Sequence, residues 1–402
     1  MNSLDTIRPR FDRWKKNGAT LGAIGLILWL IFGFVDGQRH GFAGWQQFYR
    51  SYLFAYVYWI CLPLGSLGLL MLHHLTGGKW SYPIRRILEA GSRSLGLMFI
   101  LGIPLLIGMP KLYAWARPAD VQADPILQEK QWWLNPTAFV VRYFIYFAVL
   151  VLIVYLLNKW SRLQDDTADI KYKDKMDALS GPGLVLWSLI VTSAAVDWVM
   201  SLEPHWFSTI YGMLFMVIEA LAGLSFAVFM LRMLSDYEPI KNAVDPKRYN
   251  DLGNLMLTFV MLWAYLSFDQ LLITWAGNLK DEITWYTQRA FGGWAPIGVA
   301  LVVLHFFTPF LLLLQRGVKR RLRAISFVAG FIIVLTLLDI YWIVVPSYEV
   351  YRPRVHWLDI FALVGIGGLW LAAFSRQLMK LPLLPQHDPR FVGIALELEH
   401  GD

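Results

Sequence analysis

The chain is poor in charge and nearly devoid of cysteine. Only 16% of its 402 residues are Asp, Glu, Lys or Arg, where soluble domains carry about a quarter. With 57% hydrophobic residues, that deficit makes lipid the expected solvent for most of the chain. A single cysteine, Cys61, excludes a disulfide framework, a Cys-ligated iron–sulfur cluster and a Cys-rich zinc site held by this chain alone. The histidines are badly placed for a b-type haem, which needs two axial ligands at matched depth on facing helices. His73 and His74 end one apolar stretch, His305 is central to another and His205 lies at the opposite surface. A phosphate-binding GxxxxGK[ST] loop, a dinucleotide fingerprint and an HExxH zinc motif are all missing, and no metal site is expected.

Long apolar stretches are abundant. Stretches of about 20 such residues read as membrane-spanning helices. Ten occur, near 18–35, 51–73, 95–113, 137–158, 182–202, 207–233, 253–277, 293–315, 324–345 and 357–376. The first follows a basic segment but is too long for a signal-peptide core and lacks a clear small-residue cleavage site, so it is retained as a helix. The expected class is an all-α polytopic membrane protein forming one integral membrane domain over 1–402, with residues 377–402 as a tail.

An even number of spans places both ends of the chain on one side. Of the 36 Lys and Arg, 26 fall in the segments on that side and nine in the others, with Arg142 inside the fourth span. The positive-inside rule then puts both termini in the cytoplasm. The net charge of +7 sits at the membrane surface beside anionic lipid, so nucleic acid is not an expected partner. Arg85 and Arg86 are expected to reach lipid phosphates, RLQDDTADIKYKDK to be a solvated loop, and the longest outer loop, 111–136, to lie on the surface or meet an extrinsic partner.

Charged groups at membrane depth cost roughly 2.5–3.5 kcal/mol each near the centre, so they face the bundle interior and have partners or a function. Asp197 lies in the outer third of span five, sharing a face with Ser193 and Ser201. Asp269 lies at similar depth in span seven, with Tyr265, Thr258 and Asn254 below it as a possible polar track. Asp339 occupies the outer part of span nine, three residues after Thr336, and Arg142 enters span four from the same side. Glu219 falls near the middle of span six and His305 near the middle of span eight. Arg142 can neutralise one acid in a structural salt bridge, but not three. A carboxyl in apolar surroundings exchanges protons closer to neutral pH than one in water. Asp197, Glu219, Asp269 and Asp339 are therefore the proton-transfer candidates, with Arg142, His305, Tyr265, Thr258 and Ser193 in support. As a lone histidine, His305 reads first as a hydrogen-bonded core residue. Glu203 and His205 read as outer-surface groups on a tight turn, and Trp198 and Trp206 as an aromatic belt.

A weak internal duplication is visible. LIVTSAAVDWVMSLEP in span five and IIVLTLLDIYWIVVPSY in span nine share an apolar run, a Thr, an Asp, a Trp and a Pro at similar spacing. Spans two to five (51–202) and six to nine (207–345) would then be two related four-helix bundles with one flanking helix at each end.

Three segments, HHLTGGKWSYPIRRILEAG, DWVMSLEPHWFSTIYGML and DLGNLMLTFVMLWAYLSFDQLLITWAGNLKDEITWYTQR, resemble the ActF membrane subunit of bacterial alternative complex III. The resemblance runs over nearly the whole chain. It implies an NrfD/PsrC-like fold and a place in a quinol:cytochrome c, or quinol:acceptor, oxidoreductase of the bacterial inner membrane. It further implies a chain without haem or iron–sulfur cluster, with those cofactors and the quinol site in its partners. The implied partners are a paralogous NrfD-like quinol-binding membrane subunit, an extrinsic iron–sulfur subunit, c-type cytochrome subunits and a terminal oxidase. A contribution to proton half-channels is implied too, for which Asp197, Asp269 and Asp339 are the matching positions; Glu219 rests on depth alone. Two alternatives stay open: that this chain itself binds and oxidises quinol, which needs an open cavity beside Asp197 or Asp269, and that it is a stand-alone ion or solute transporter. The second would show paired Gly/Pro breaks near the midplane, and Pro104 and Pro296 make a poor pair.

Overall fold

A computed structural model describes residues 3–243, 245–280, 283–349 and 351–391. Residues 392–402 of the tail fall outside the described residues. Among those described there are helices and no strands, and ten helices are long and apolar enough to cross a membrane. In chain order they are α1 (Ile7–His40), α2 (Phe42–Thr76), α3 (Arg85–Leu112), α4 (Pro136–Thr167), α5 (Lys171–Leu202), α6 (Tyr211–Leu234), α7 (Pro246–Gly277), α8 (Gly292–Leu314), α9 (Leu322–Ser347) and α10 (Trp357–Leu378). The protein is an all-α polytopic membrane protein. Several helices outrun their apolar stretches because their polar ends cap well: the Asn135 side chain accepts from Ala138 N–H at the start of α4, and Asp245 accepts from Lys247 and Arg248 N–H at the start of α7.

The helices differ sharply in burial. The apolar window of α2 is 94% buried and that of α6 is 83%, against 22% for both α7 and α8, so α2 and α6 form the axis and α7 and α8 an outer wall. α2 packs on α1, α3, α5, α6, α9 and α10, while α6 packs on α2, α5, α7 and α9. The axis closes through small residues. A methyl group at Gly65 would run into the Glu219 carbonyl, and one at Gly223 would lie 2.8 Å from the Gly65 carbonyl carbon. Membrane helices approach this closely only where side chains are absent. Gly65→Ala is expected to destabilise by about 1–3 kcal/mol through overpacking. Gly96→Ala, with open space around it, should leave the melting temperature in detergent unchanged.

α1 and α10 form the most extensive helix pair. They run antiparallel along a glycine seam: a methyl at Gly18 would sit 2.8 Å from the Gly368 oxygen, and one at Gly25 would sit 2.7 Å from the Gly365 nitrogen.

α8 contains a π-helical turn, Leu301–Phe307. Pro309 has no N–H to donate, and Thr308 reaches back five residues, its N–H and its Oγ1 both meeting the Val303 oxygen, the latter at 2.9 Å. The wide turn holds His305 in the core, fully buried.

At the end carrying the termini, the polar groups are internal. Arg85 and Arg86 are buried and pair with Glu89, Asp165 and Asp388 instead of reaching lipid phosphates. The segment read as a solvated loop is partly core: Asp165 is buried against Arg86, while Asp166 and Lys171 stay outside. The tail folds back to complete the network, with Arg390 on Asp388 at 2.7 Å and on Asp177 at 3.2 Å, and His387 on the Asp165 carbonyl at 2.8 Å. Burial disfavours the Asp388 carboxylate, but hydrogen bonds from Arg390 and the charge of Arg85 outweigh it and hold its pKa well below the usual carboxylate range.

Candidate functional site

The sequence brings Asp197, Asp269, Asp339 and Arg142 to one depth; the structure does not bring them together. Asp197 alone meets Arg142. The guanidinium donates to both carboxylate oxygens, at 2.9 and 2.8 Å, Trp133 Nε1 donates to Oδ1 at 2.9 Å and the Tyr146 hydroxyl to Oδ2 at 2.9 Å. Arg142 also stacks over Trp133 at 4.2 Å. Ser193 lies beside Tyr146, and Ser201 bonds the Asp197 carbonyl at 2.6 Å. A carboxylate with four donors is fully satisfied, so the salt-bridge reading fits Asp197 better than the relay reading.

Asp269 lies elsewhere. It is half-buried, and among the described residues it has neither a hydrogen bond nor an ion pair. Its supposed track does not face the interior: Tyr265 is 63% exposed, and Thr258 and Asn254 also stand on the open face of α7. The buried face of that helix is Leu252, Met256, Val260, Trp263 and Leu266, and helical periodicity puts the polar stripe opposite.

Asp339 and Glu219 are the deep carboxyls. Asp339 is buried and accepts from Trp263 Nε1 at 2.9 Å. Trp263 in turn lies flat on His305, with ring centroids 4.6 Å apart and planes 5° from parallel. His305 approaches the backbone of Leu335 on α9. Glu219 is buried on α6, with its Oε2 unpartnered. Among the described residues, no cation lies within ion-pair distance of either carboxyl. Cys61 on α2 is within electrostatic reach of both. Toward the outer end, Tyr211 is within such reach of Asp339 and Glu203. Cys61 thus lies in the neighbourhood of both deep carboxyls, and Tyr211 in that of Asp339 and Glu203.

Glu203 departs from the surface position expected for it. Its side chain is only 12% exposed, meets Arg289 at 3.0 Å and accepts from Ser347 at 2.6 Å. Arg289 is itself buried. It donates to the carbonyls of Trp285, Ile343 and Trp342 at 2.9, 2.7 and 3.2 Å, and its guanidinium lies 3.8 Å over the Trp285 ring. Burial lowers the Arg289 pKa, and the Glu203 charge opposes that. His205 is at the surface as expected, bonded to Asp124 at 2.6 Å; the little burial of Asp124 is outweighed by this bond, which lowers the carboxyl pKa. Trp198 and Trp206 are buried rather than forming a belt, because Trp198 packs on Tyr56 and Phe147 and Trp206 stacks on Trp285.

The loop 111–136 folds over this end as short helices. Lys130 donates to the Pro204 carbonyl at 2.5 Å. Between loop and helices lies a pocket of about 220 Å³, lined by Lys130, Trp133, Met200, Ser201, Trp206 and Phe207 among others. The Trp206 indole N–H is buried without a partner. Among the described residues, no three His, Cys, Asp or Glu converge as a metal site would require.

Trp263, Cys61, Tyr211 and Arg289 were not legible as site residues. Trp263 sits among apolar residues on the buried face of its helix, and Cys61 is the lone cysteine; both are signals only when their neighbours are known. The chain matches no protein-family profile and no curated protein.

Proposed function

We propose that this chain is a membrane subunit, without a redox cofactor of its own, of a respiratory quinol:electron acceptor oxidoreductase, and that it carries protons. The observation that carries the reading is the pair of deep carboxyls, Glu219 and Asp339, set beside the helix axis with Cys61 in reach of both and, among the described residues, no cation on either. A structural acid at such depth pairs with a base, as Asp197 does; among the described residues these two have none. Glu219 takes up and releases the proton at mid-membrane, and Asp339, oriented by Trp263, exchanges it toward the outer end where Tyr211 leads to Glu203. His305, stacked on Trp263, fixes that indole. Asp197 and Arg142 hold α4 to α5 and shape the outer surface.

The resemblance to the alternative complex III subunit supplies the complex: a quinol-binding paralogue, an iron–sulfur subunit, c-type cytochromes and a terminal oxidase, in a bacterial inner membrane with both termini cytoplasmic. The decisive experiment is purification in mild detergent from the native membrane, with mass spectrometry of co-purifying chains and a haem spectrum. Multihaem cytochrome and iron–sulfur subunits in stoichiometric amount are expected. A chain that purifies alone, with neither haem nor quinone, overturns the reading in favour of a transporter.

A second reading, that the chain binds quinol itself, is favoured by the aromatic pocket whose wall residue Trp133 bonds Asp197. Quinone extracted from the isolated chain, and lost on Trp206→Ala, would support it.

A further inference from the structure

The open face of α7 has the wrong chemistry for lipid. Asn254, Thr258, Met261, Tyr265, Phe268, Leu272 and Trp275 recur at alternating spacings of four and three, and all are exposed. That is the spacing of a helix–helix seam. Three of the seven are polar: Asn254 accepts from Lys319 at 2.6 Å and Thr258 donates to the Asn254 carbonyl at 3.0 Å, while Tyr265 stands free of such a bond among the described residues, and Asp269 borders the stripe. Exposed apolar side chains continue beyond Asp269 toward the outer end, at Leu271, Leu272, Ile273 and Trp275, so the carboxyl lies within the apolar layer and not above it. Within the chain Asp269 has no donor or cation among the described residues, unlike Asp197, Glu203 and Glu89, which are ion-paired. An unpaired carboxylate on a lipid-facing helix costs several kcal/mol.

We infer that this face of α7 docks a transmembrane helix of a different polypeptide, one carrying a basic or strong donor side chain opposite Asp269. The charge excludes a second copy related by a two-fold axis through the stripe, because two Asp269 would then face each other at depth. The neighbouring face of α8, with Val299, Val303 and Phe307 exposed, extends the surface and gives the partner an apolar flank. Tyr265 and Thr258 offer hydroxyls along the seam, as polar groups at membrane helix contacts do. The inference rests on the proposed complex for the existence of a membrane partner, but the face, its charge and the partner's complementary charge come from this chain.

The test places the photocrosslinking residue p-benzoylphenylalanine at Tyr265 in the full chain in its native membrane, with Phe327 on α9, also exposed, as the control. The expected product from position 265 is a crosslink to a transmembrane peptide of another protein with Lys, Arg or His within about one turn of the site. Position 327 should give lipid adducts only. In parallel, Asp269→Arg should reduce the co-purified partner about tenfold, and exchanging the partner's basic residue for Glu should restore it. Adducts with lipid alone at 265, a crosslink to a second copy, or unchanged partner yield in Asp269→Arg would each overturn the inference. If the complex purifies intact while 265 meets only lipid, the docking face is wrong and the proposed function stands; if no complex exists, both fall.

Discussion

Glu219→Gln and Asp339→Asn should each lower proton flux about a hundredfold in proteoliposomes driven by an imposed potassium diffusion potential. The carboxamides preserve shape and hydrogen-bonding reach, so the change is confined to the ability to gain and lose a proton. Without the relay group the proton must cross that stretch as a solvated charge. The penalty for a charge near the bilayer centre is about 2.5–3.5 kcal/mol, which corresponds to about two decades in rate. The melting temperature should move little, because among the described residues neither carboxyl holds a cation whose loss would cost stability. Asp339→Asn preserves an acceptor for Trp263 Nε1, so the Trp263–His305 stack should persist. Flux equal to that of the parent in both variants would sink the relay and leave a scaffold role for these acids. Asp197→Asn should leave flux near that of the parent, separating the two deep carboxyls from the satisfied one.

The largest stability effect is expected at Asp197. Asp197→Ala leaves Arg142, only 14% exposed, with its charge facing an apolar seam and removes the acceptor of Trp133 and Tyr146 as well. Breaking a buried pair from one side costs about 3–5 kcal/mol. The double variant Asp197→Ala/Arg142→Met should recover most of it, since removing both charges removes the unmatched one. Thermal unfolding in detergent, followed by intrinsic fluorescence, checks both. If the double variant is as unstable as the single, the pair is not the origin of the loss, and the packing of Trp133 over the outer pocket is.

The ten spans were legible because their signal is composition over about 20 residues, and no tertiary contact can erase it. Depth along each helix was legible for the same reason: Glu219 and His305 are buried mid-helix where their positions in the stretches put them. Facing was not. Asp197, Asp269 and Asp339 share a depth, yet one meets an arginine, one an indole and one the open face of α7. The difference lies in rotation about the helix axis, which depends on neighbours. In a soluble helix the hydrophobic stripe reveals that rotation, but here both faces are apolar and the contrast is weak. Arg85 and Arg86 failed in a related way. Beside a glycine-rich break they look like surface anchors, and their burial depends on carboxylates far along the chain: Asp388, some 300 residues away, for Arg85, and Asp165 for Arg86.

The glycine seam between α1 and α10 joins two stretches of chain more than 300 residues apart with no side chain between their backbones: Gly18, Gly22 and Gly25 lie against Gly365 and Gly368. Contact this close leaves no room for adjustment, so the two helices move as one rigid unit, and any bulk added on either side parts the whole length of the pair.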